Sequence, residues 1–231
     1  MGWGNQSPTG CFGRMETTTK NPRKLYGLYA ITPCSSIQPL STSELTSKVE
    51  QTITGGARII QYREKYHSPS AKREQALAIK FLCEKHGVLL IVNDDIVLAG
   101  DVGAHGVHLG QDDSSIQQAR DLLGESAIIG VSCYNRLELA RAAQQQGADY
   151  VAFGRFFSSQ SKPAAVKADL ALLKQAKAEL SLPIACIGGI TAENAKLLIS
   201  AGADMLAVIN GVFGASDIIR ASRELASCFE S

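Results

Sequence analysis

Short apolar runs and amphipathic segments alternate eight times along the chain after residue 24. The runs are rich in Ile, Val and Leu, which is typical of strands buried on both faces. A Gly-Ala pair precedes four of them, beginning at Gly56, Gly103, Gly147 and Gly202. Glycine at the end of a helix, followed directly by a strand, explains that repetition. Eight strand–helix units predict a (β/α)8 TIM barrel over residues 25–231, with a doubly wound open sheet as the alternative.

The predicted strands are 25–32, 58–63, 89–93, 106–109, 128–132, 150–153, 184–187 and 205–209. Helical spacing is clearest over 70–86, 137–146, 168–180 and 192–201. The third helix is the shortest, because 96–102 allows barely two turns.

Residues 1–24 stand apart from this pattern. They are rich in Gly, Thr, Ser and Asn, and they lack both periodic apolar residues and the apolar stretch of a secretory signal. We interpret them as a disordered leader or linker outside the domain, with Met15 as an alternative start.

Charge and composition exclude several classes of protein. The chain has 23 Lys+Arg against 22 Asp+Glu, so no basic field recruits nucleic acid or an acidic membrane surface. No apolar run approaches the ~20 residues that span a bilayer. Six cysteines are scattered without a CxxC pair, which favours reduced thiols over disulfides or a zinc site. We therefore expect a protein of the cytoplasm or a similarly reducing compartment that binds neither nucleic acid nor membrane.

The second strand runs directly into Gln61-Tyr62-Arg63-Glu64-Lys65. Side chains alternate along a strand, so the sequence predicts Gln61, Arg63 and Lys65 on one face. Two cations and an amide donor on one face suit a diphosphate. The alternative interpretation is a charged strand end that faces solvent and binds no ligand.

Acidic residues follow the third and fourth strands. Asn93-Asp94-Asp95 and Gln111-Asp112-Asp113 lie at strand ends that a barrel brings to the same rim. Carboxylates beside a cationic cluster suit a divalent cation that bridges to a diphosphate. Asp95 and Asp112 could equally cap helices, so one Asp of each pair is enough for a metal.

Two glycine turns follow strands seven and eight, at Gly188-Gly189 and at Asn210-Gly211. The loops after these strands are the recurrent monophosphate site of barrels, where backbone N–H groups bind the anion. Either turn alone is weak evidence, because tight turns need glycine anyway.

Taken in order, these motifs resemble the thiamine phosphate synthase family. The resemblance covers residues 25–229, and it includes Gly130-Val131-Ser132 and the run from Ala148 to Gly154. It implies that a hydroxymethylpyrimidine diphosphate is joined to a thiazole phosphate, giving thiamine phosphate and pyrophosphate. The implied reaction is a dissociative substitution assisted by Mg²⁺ in a homo-oligomeric enzyme.

The resemblance assigns roles to particular residues. It places the pyrimidine diphosphate on Gln61, Tyr62, Arg63, Glu64, Lys65, Asn93, Ser132 and Lys162. It places Mg²⁺ on Asp94 and Asp113, and the thiazole phosphate on Ser159, Gln160, Ser161, Gly189, Ile209 and Asn210. Catalysis is expected from Arg63, Lys65, Lys162 and Ser132 around the leaving diphosphate. No side chain is required as a nucleophile, and His108 is expected to be a packed, hydrogen-bonded rim residue.

Three features depart from the family pattern. The family often reads Pro-Thr-x-Thr-Lys where this chain has Ser158-Ser159-Gln160-Ser161-Lys162, and Ser where it has Asn210. The segment between Lys162 and the seventh strand is also slightly short. Two alternative functions also stay open: a thiazole tautomerase-like isomerase and a non-catalytic sensor of phosphate ligands. Such isomerases typically lack the acidic strand ends, and a degenerate sensor would first lose Asp94, Asp113 or Lys162. All three residues are present, which favours the synthase.

Overall fold

The computed structural model describes residues 25–35, 37–158 and 166–230, together with Met1. Eight parallel strands close into a barrel in chain order, and the last strand pairs with the first. The strands are β1 Gly27–Ile31, β2 Ile59–Tyr62, β3 Leu89–Asn93, β4 Gly106–Leu109, β5 Ile128–Tyr134, β6 Tyr150–Phe153, β7 Ile184–Ile187 and β8 Met205–Val208. This topology confirms the (β/α)8 barrel and excludes the open sheet.

Helices follow the strands and cover the outside of the barrel. They are α1 Thr42–Thr54, α2 Pro69–His86, α3 Ile96–Asp101, α4 Ile116–Leu123, α5 Leu137–Gln145, α6 Leu170–Glu179, α7 Ala192–Ser200, α8 Asn210–Phe213 and α9 Ile218–Ser227. The third helix is short, as its sequence predicts. None of the helices in the described part of the chain has the length and apolarity needed to cross a bilayer. Residues 2–24, for which the sequence predicts a leader, lie outside the described residues.

Two apolar layers hold the barrel together. The larger layer joins the outward faces of the strands to the helices. The smaller one fills the barrel itself and consists of strand residues, among them Ile59, Ile91, Ile128 and Met205. Because the barrel interior is packed in this way, a ligand has room only near one end of it.

The Gly-Ala motifs before the strands have a second role, which the sequence did not reveal. In three of the four motifs, the residue that follows the alanine accepts a hydrogen bond through its side chain. The donor is a backbone N–H of the preceding strand. The pairs are His105 Nδ1 with Leu90 N, Asp149 Oδ2 with Ile129 N and Asp204 Oδ2 with Ile184 N, each at 2.9 Å. These bonds satisfy backbone donors at the amino-terminal end of the barrel, which is the end opposite to the catalytic rim of such folds.

We predict that Asp149→Ala lowers the free energy of unfolding by about 2–3 kcal/mol without changing activity. The substitution leaves the buried N–H of Ile129 without its acceptor and removes the partner of Arg120, whose Nη2 lies 2.9 Å from Asp149 Oδ2. Urea unfolding measures the loss. Asp101→Ala, which removes an exposed carboxylate, is the control and should cost under about 0.5 kcal/mol. Equal losses in the two variants would contradict this role of Asp149.

Candidate active site

A cavity of about 450 Å³ opens at the carboxyl-terminal end of the barrel. It brings together seven of the residues predicted to bind substrates: Gln61, Arg63, Asn93, Ser132, Gly189, Ile209 and Asn210. Arg63 and Arg155 are the charged residues in its described lining, which contains no Asp or Glu. Two guanidinium groups without a carboxylate among the described lining residues favour anionic ligands.

A line of hydrogen bonds crosses the inside of the barrel at the base of this cavity. The line runs from Gln61 Nε2 to Tyr29 Oη (2.6 Å), on to Tyr150 Oη (2.8 Å), to His108 Nδ1 (2.9 Å), and from His108 Nε2 to Ser132 Oγ (2.9 Å). We call these five residues the polar relay. Burial raises the pKa of both tyrosine hydroxyls above its usual value, so they stay protonated at neutral pH.

The relay confirms that His108 is a packed, hydrogen-bonded residue, because its side chain is 8% exposed and both ring nitrogens have partners. His105 lies at the other end of β4, where its Nδ1 accepts from Leu90 N. The two histidines therefore do not share a site, in agreement with the alternation of side chains along a strand.

Arg63 is held at the rim by its backbone. Its N–H donates to Thr32 Oγ1 at 2.8 Å, and Thr32 Oγ1 donates to the Arg63 carbonyl at 3.2 Å. Thr32 directly follows β1 and is 1% exposed, so this pair of bonds joins the ends of β1 and β2. The guanidinium is therefore carried by a fixed strand end.

The prediction that Lys65 shares a face with Gln61 and Arg63 is wrong. The strand β2 ends at Tyr62, so side-chain alternation does not continue as far as Lys65. Lys65 lines an adjacent cleft of about 340 Å³, and its Nζ lies 3.4 Å from Asp94 Oδ2. Asn93 lines both the cavity and the cleft, which places the two side by side.

Tyr62 and Glu64 have structural partners. The Tyr62 hydroxyl donates to Gln75 Oε1 of α2 at 2.9 Å. Glu64 Oε1 accepts from the backbone N–H groups of Tyr66 (2.6 Å) and His67 (3.3 Å). Burial favours the protonated form of Glu64, but these donors and His67 outweigh it and lower the carboxyl pKa. Contact of Tyr62 or Glu64 with a diphosphate stays a prediction.

Asp94 lines the cleft, and Asp113 is its neighbour from the loop after β4. Asp113 lies close enough to Asp94 to shift the pKa of its carboxyl group, and Asp113 Oδ2 accepts from Gly110 N at 2.7 Å. Burial and then the neighbouring Asp113 raise the pKa of Asp94, against the opposing effect of the Lys65 ammonium. Asp94 has a left-handed backbone, with a φ of 64°. This conformation is uncommon outside glycine and is found at functional sites.

The paired carboxylates fit a divalent cation. Mg²⁺ is commonly held by one or two carboxylates, with phosphate and water oxygens as its other ligands. The described residues contain no cluster of three or more His, Cys, Asp or Glu side chains suited to a metal, so phosphate or water oxygens would complete the coordination. Asp95 Oδ1 accepts from Leu98 N at 2.9 Å and caps α3, as one of the alternatives predicted. Asp112 does not cap α4, because Ser115 does.

The glycine turn after β7 lies on the other side of the cavity. Gly188 and Gly189 have φ values of 102° and 63°, which favour glycine. A β-carbon on Gly189 would lie 2.3 Å from the carbonyl oxygen of Ser158, so close packing against the loop after β6 also requires glycine here. Ser159, Gln160, Ser161 and Lys162 lie outside the described residues, and their roles stay predictions.

Arg155 and Tyr134 line the cavity, and sequence reasoning gave neither of them a role. Arg155 follows Gly154 directly after β6, and its position at a strand end could have identified it. A β-carbon on Gly188 would lie 2.3 Å from the β-carbon of Arg155, so glycine at position 188 makes room for Arg155. Tyr134 ends β5 at a register shift with a φ of 52°, which local sequence does not reveal.

Comparison with known proteins decides the family. The family model for thiamine monophosphate synthase matches residues 28–212. The chain belongs to the thiamine monophosphate synthase family. Over 212 residues it is 49% identical to the thiamine-phosphate synthase of Thioalkalivibrio sulfidiphilus, covering 92% of this chain and 99% of that one. The thiamine-phosphate synthase of Thiobacillus denitrificans is 50% identical over 203 residues, covering 88% and 94%.

Solved structures agree with this family. The thiamine phosphate pyrophosphorylase from Pyrococcus furiosus superposes with a TM-score of 0.80 at 32% identity, covering 91% of this chain and 98% of that one. A 3-hexulose-6-phosphate synthase reaches a TM-score of 0.64 at 18% identity, covering 87% and 99%, which shows the barrel fold alone. As a member of the thiamine monophosphate synthase family, the chain is a transferase of thiamine biosynthesis.

We predict that Asp94→Asn does not lower the thermal stability of the metal-free protein and weakens its response to Mg²⁺ with pyrophosphate. The partly buried Asp94 carboxylate beside Asp113 is unfavourable without a cation, whereas the ion pair with the half-exposed Lys65 contributes little. Thermal unfolding with and without the two additives measures both effects. Asp112→Asn, in the exposed neighbour, should respond as the wild type does. An equal gain in melting temperature for Asp94→Asn and wild type would contradict a cation site at Asp94.

Proposed function

We propose that the chain joins 4-amino-2-methyl-5-hydroxymethylpyrimidine diphosphate to 4-methyl-5-hydroxyethylthiazole phosphate, or to its carboxylate, giving thiamine phosphate and pyrophosphate. One structural observation carries this proposal. A single cavity has Arg63, Asn93 and Ser132 on one side and the turns at Gly189 and Asn210 on the other. Two anionic substrates can therefore meet in it with their reacting groups between the two sides.

The diphosphate lies at the ends of β2 and β3 in this proposal. Arg63 and the Asn93 amide bind it from the cavity, and Lys65 approaches from the adjacent cleft. Asp94 and Asp113 would hold Mg²⁺, which supplies positive charge to the diphosphate when it is bound. Positive groups fixed before the reaction stabilise the charge that grows on the leaving diphosphate.

The side chains at the base of the cavity bind and orient substrates instead of attacking them. The tyrosine hydroxyls of the relay are buried and protonated, so they are poor nucleophiles. Ala152, Ala185 and Ala207 line the cavity with small apolar surfaces that leave room for flat rings and exclude water. This setting suits a dissociative substitution, in which the thiazole nitrogen captures the pyrimidine methylene cation as the diphosphate departs.

We also propose a homo-oligomeric enzyme in the cytoplasm. Phe81 and Leu77 lie one helical turn apart on α2 and are 68% and 38% exposed, which supports a contact between copies of the chain. The five described cysteines are free thiols, which supports a reducing compartment.

We predict that the purified protein releases one pyrophosphate for each thiamine phosphate formed, and that EDTA abolishes turnover. Arg63→Met should lower kcat/KM for the pyrimidine diphosphate about 100-fold or more, because it removes a cation from the leaving group. A coupled assay for pyrophosphate measures both results. Arg223→Met, on the exposed part of α9, is the control.

The same assay separates the alternatives. A tautomerase-like isomerase would convert a thiazole without any pyrimidine substrate, and a sensor would bind ligands without releasing pyrophosphate. Full turnover in EDTA would contradict a catalytic cation at Asp94 and Asp113.

We predict that Arg155→Met weakens binding of the thiazole phosphate about tenfold or more and leaves binding of the unphosphorylated thiazole alcohol unchanged. A hydrogen bond to a charged group contributes about 1.5–3 kcal/mol, which corresponds to this factor. Calorimetric titration of both ligands measures the difference, and Arg155→Lys should restore part of the loss. Equal losses for phosphate and alcohol would show that Arg155 acts by packing. Gly189→Ala would test the phosphate site less cleanly, because the added β-carbon would clash with the Ser158 carbonyl oxygen and disturb the loop itself.

A further inference from the structure

The polar relay joins Gln61 and Ser132, which line the substrate cavity, through Tyr29, Tyr150 and His108. Tyr29 and His108 also reach the cavity, whereas Tyr150 is not among its described lining residues. Gln61 and Ser132 stand at its ends, on β2 and β5. Tyr29, Tyr150 and His108 connect them, and these three side chains are 1%, 0% and 8% exposed. The relay therefore couples two cavity residues through groups that water hardly reaches.

Two arrangements of the protons satisfy every bond in the relay. In the first, Gln61 Nε2 donates to Tyr29 Oη, the single Tyr29 proton is directed to Tyr150 and the Tyr150 proton to His108 Nδ1. A neutral imidazole has one N–H, which then lies on Nε2 and donates to Ser132 Oγ. This leaves Gln61 Oε1 as an acceptor at one end and the Ser132 hydroxyl as a donor at the other.

The two ends have opposite polarity in either direction of the relay. Rotating the Gln61 amide by 180° would reverse the direction of each hydrogen bond along the line. Gln61 would then offer its NH₂ group to a ligand, and Ser132 would offer a lone pair. One end therefore accepts wherever the other donates. A flat ring that carries a donor on one side and an acceptor on another is complementary to this pair of ends.

We propose that Tyr29, Tyr150 and His108 are positioning residues that set the donor and acceptor at Gln61 and Ser132, and that they thereby select an aminopyrimidine ring. The exocyclic amine of such a ring donates and its ring nitrogens accept, which matches the two ends. This inference rests on the proposed function, in which a pyrimidine diphosphate occupies the cavity. It adds three residues that act through Gln61 and Ser132.

Packing around Tyr150 makes the relay testable by removing a single atom. A β-carbon on Gly130 would lie 2.0 Å from Tyr150 Cζ, so glycine at this position makes room for the ring. The Tyr150 ring meets Tyr29 edge-on at 6.0 Å between centroids and stacks on His108 at 5.6 Å. Because these contacts hold the ring, Tyr150→Phe removes the hydroxyl and leaves the shape of the site in place.

The experiment compares the affinities of Tyr150→Phe for three ligands by calorimetric titration. The pyrimidine diphosphate should bind about tenfold more weakly than to wild type, because the polarity of Gln61 and Ser132 is no longer fixed. Inorganic pyrophosphate and the thiazole phosphate should bind as they do to wild type, since neither carries the aminopyrimidine ring. Tyr26→Phe is the matched control, because its hydroxyl donates to the Phe229 carbonyl at 2.7 Å at the other end of the barrel.

Two further results distinguish a relay from separate contacts. The double variant Tyr29→Phe/Tyr150→Phe should lose no more affinity than Tyr150→Phe alone, because breaking the line once is enough. A pyrimidine diphosphate without the amino group should bind to wild type and to Tyr150→Phe with similar affinities. Should Tyr150→Phe not fold, Tyr29→Phe replaces it in each titration.

Equal losses for pyrophosphate and the pyrimidine diphosphate would overturn the proposal, because the hydroxyl would then act through general stability. Additive losses in the double variant would overturn it as well. If wild type bound pyrophosphate but not the pyrimidine diphosphate, the proposed function itself would fail.

Discussion

Polar atoms inside a barrel must find their partners within it, and this requirement organises the described structure. The polar relay meets it by joining β1, β2, β4, β5 and β6 through side chains. Apolar residues fill the rest of the interior, as Ile59, Ile91 and Met205 show. The boundary between the packed layer and the relay sets the depth to which a ligand can enter, and it turns the open end of the barrel into a cavity with a hydrogen-bonding base.

Charge is divided between two neighbouring spaces at this rim. The cavity has Arg63 and Arg155 in its described lining, whereas the adjacent cleft has Glu64, Asp94 and Asp95 together with lysines. Asn93 borders both spaces. A diphosphate bound there can contact the arginine side chains of the cavity on one side and a metal ion held by carboxylates on the other. A barrel relative at 18% identity shares the fold alone, so this arrangement of rim residues, and not the barrel, accounts for the chemistry.

The amino-acid sequence was sufficient for the barrel and for most of its rim, because both depend on local patterns. Four of the strands begin and end where the apolar runs do, and the rim residues follow directly from those ends. Lys65 was misplaced because a four-residue strand stops alternating at Tyr62. The relay was not predictable, since Tyr29 and Tyr150 are 121 residues apart and their contact depends on the closure of the barrel.

The central claim is that the pyrimidine diphosphate lies across the relay with its diphosphate toward β2 and β3. A crystal structure of the protein with Mg²⁺ and an unreactive analogue of this substrate tests it most directly. The account predicts the ring within hydrogen-bonding distance of Gln61 and Ser132, the diphosphate on Arg63 and Asn93, and the cation between Asp94 and Asp113. A ring bound instead against the turns at Gly189 and Asn210, with the relay facing only water, would contradict it.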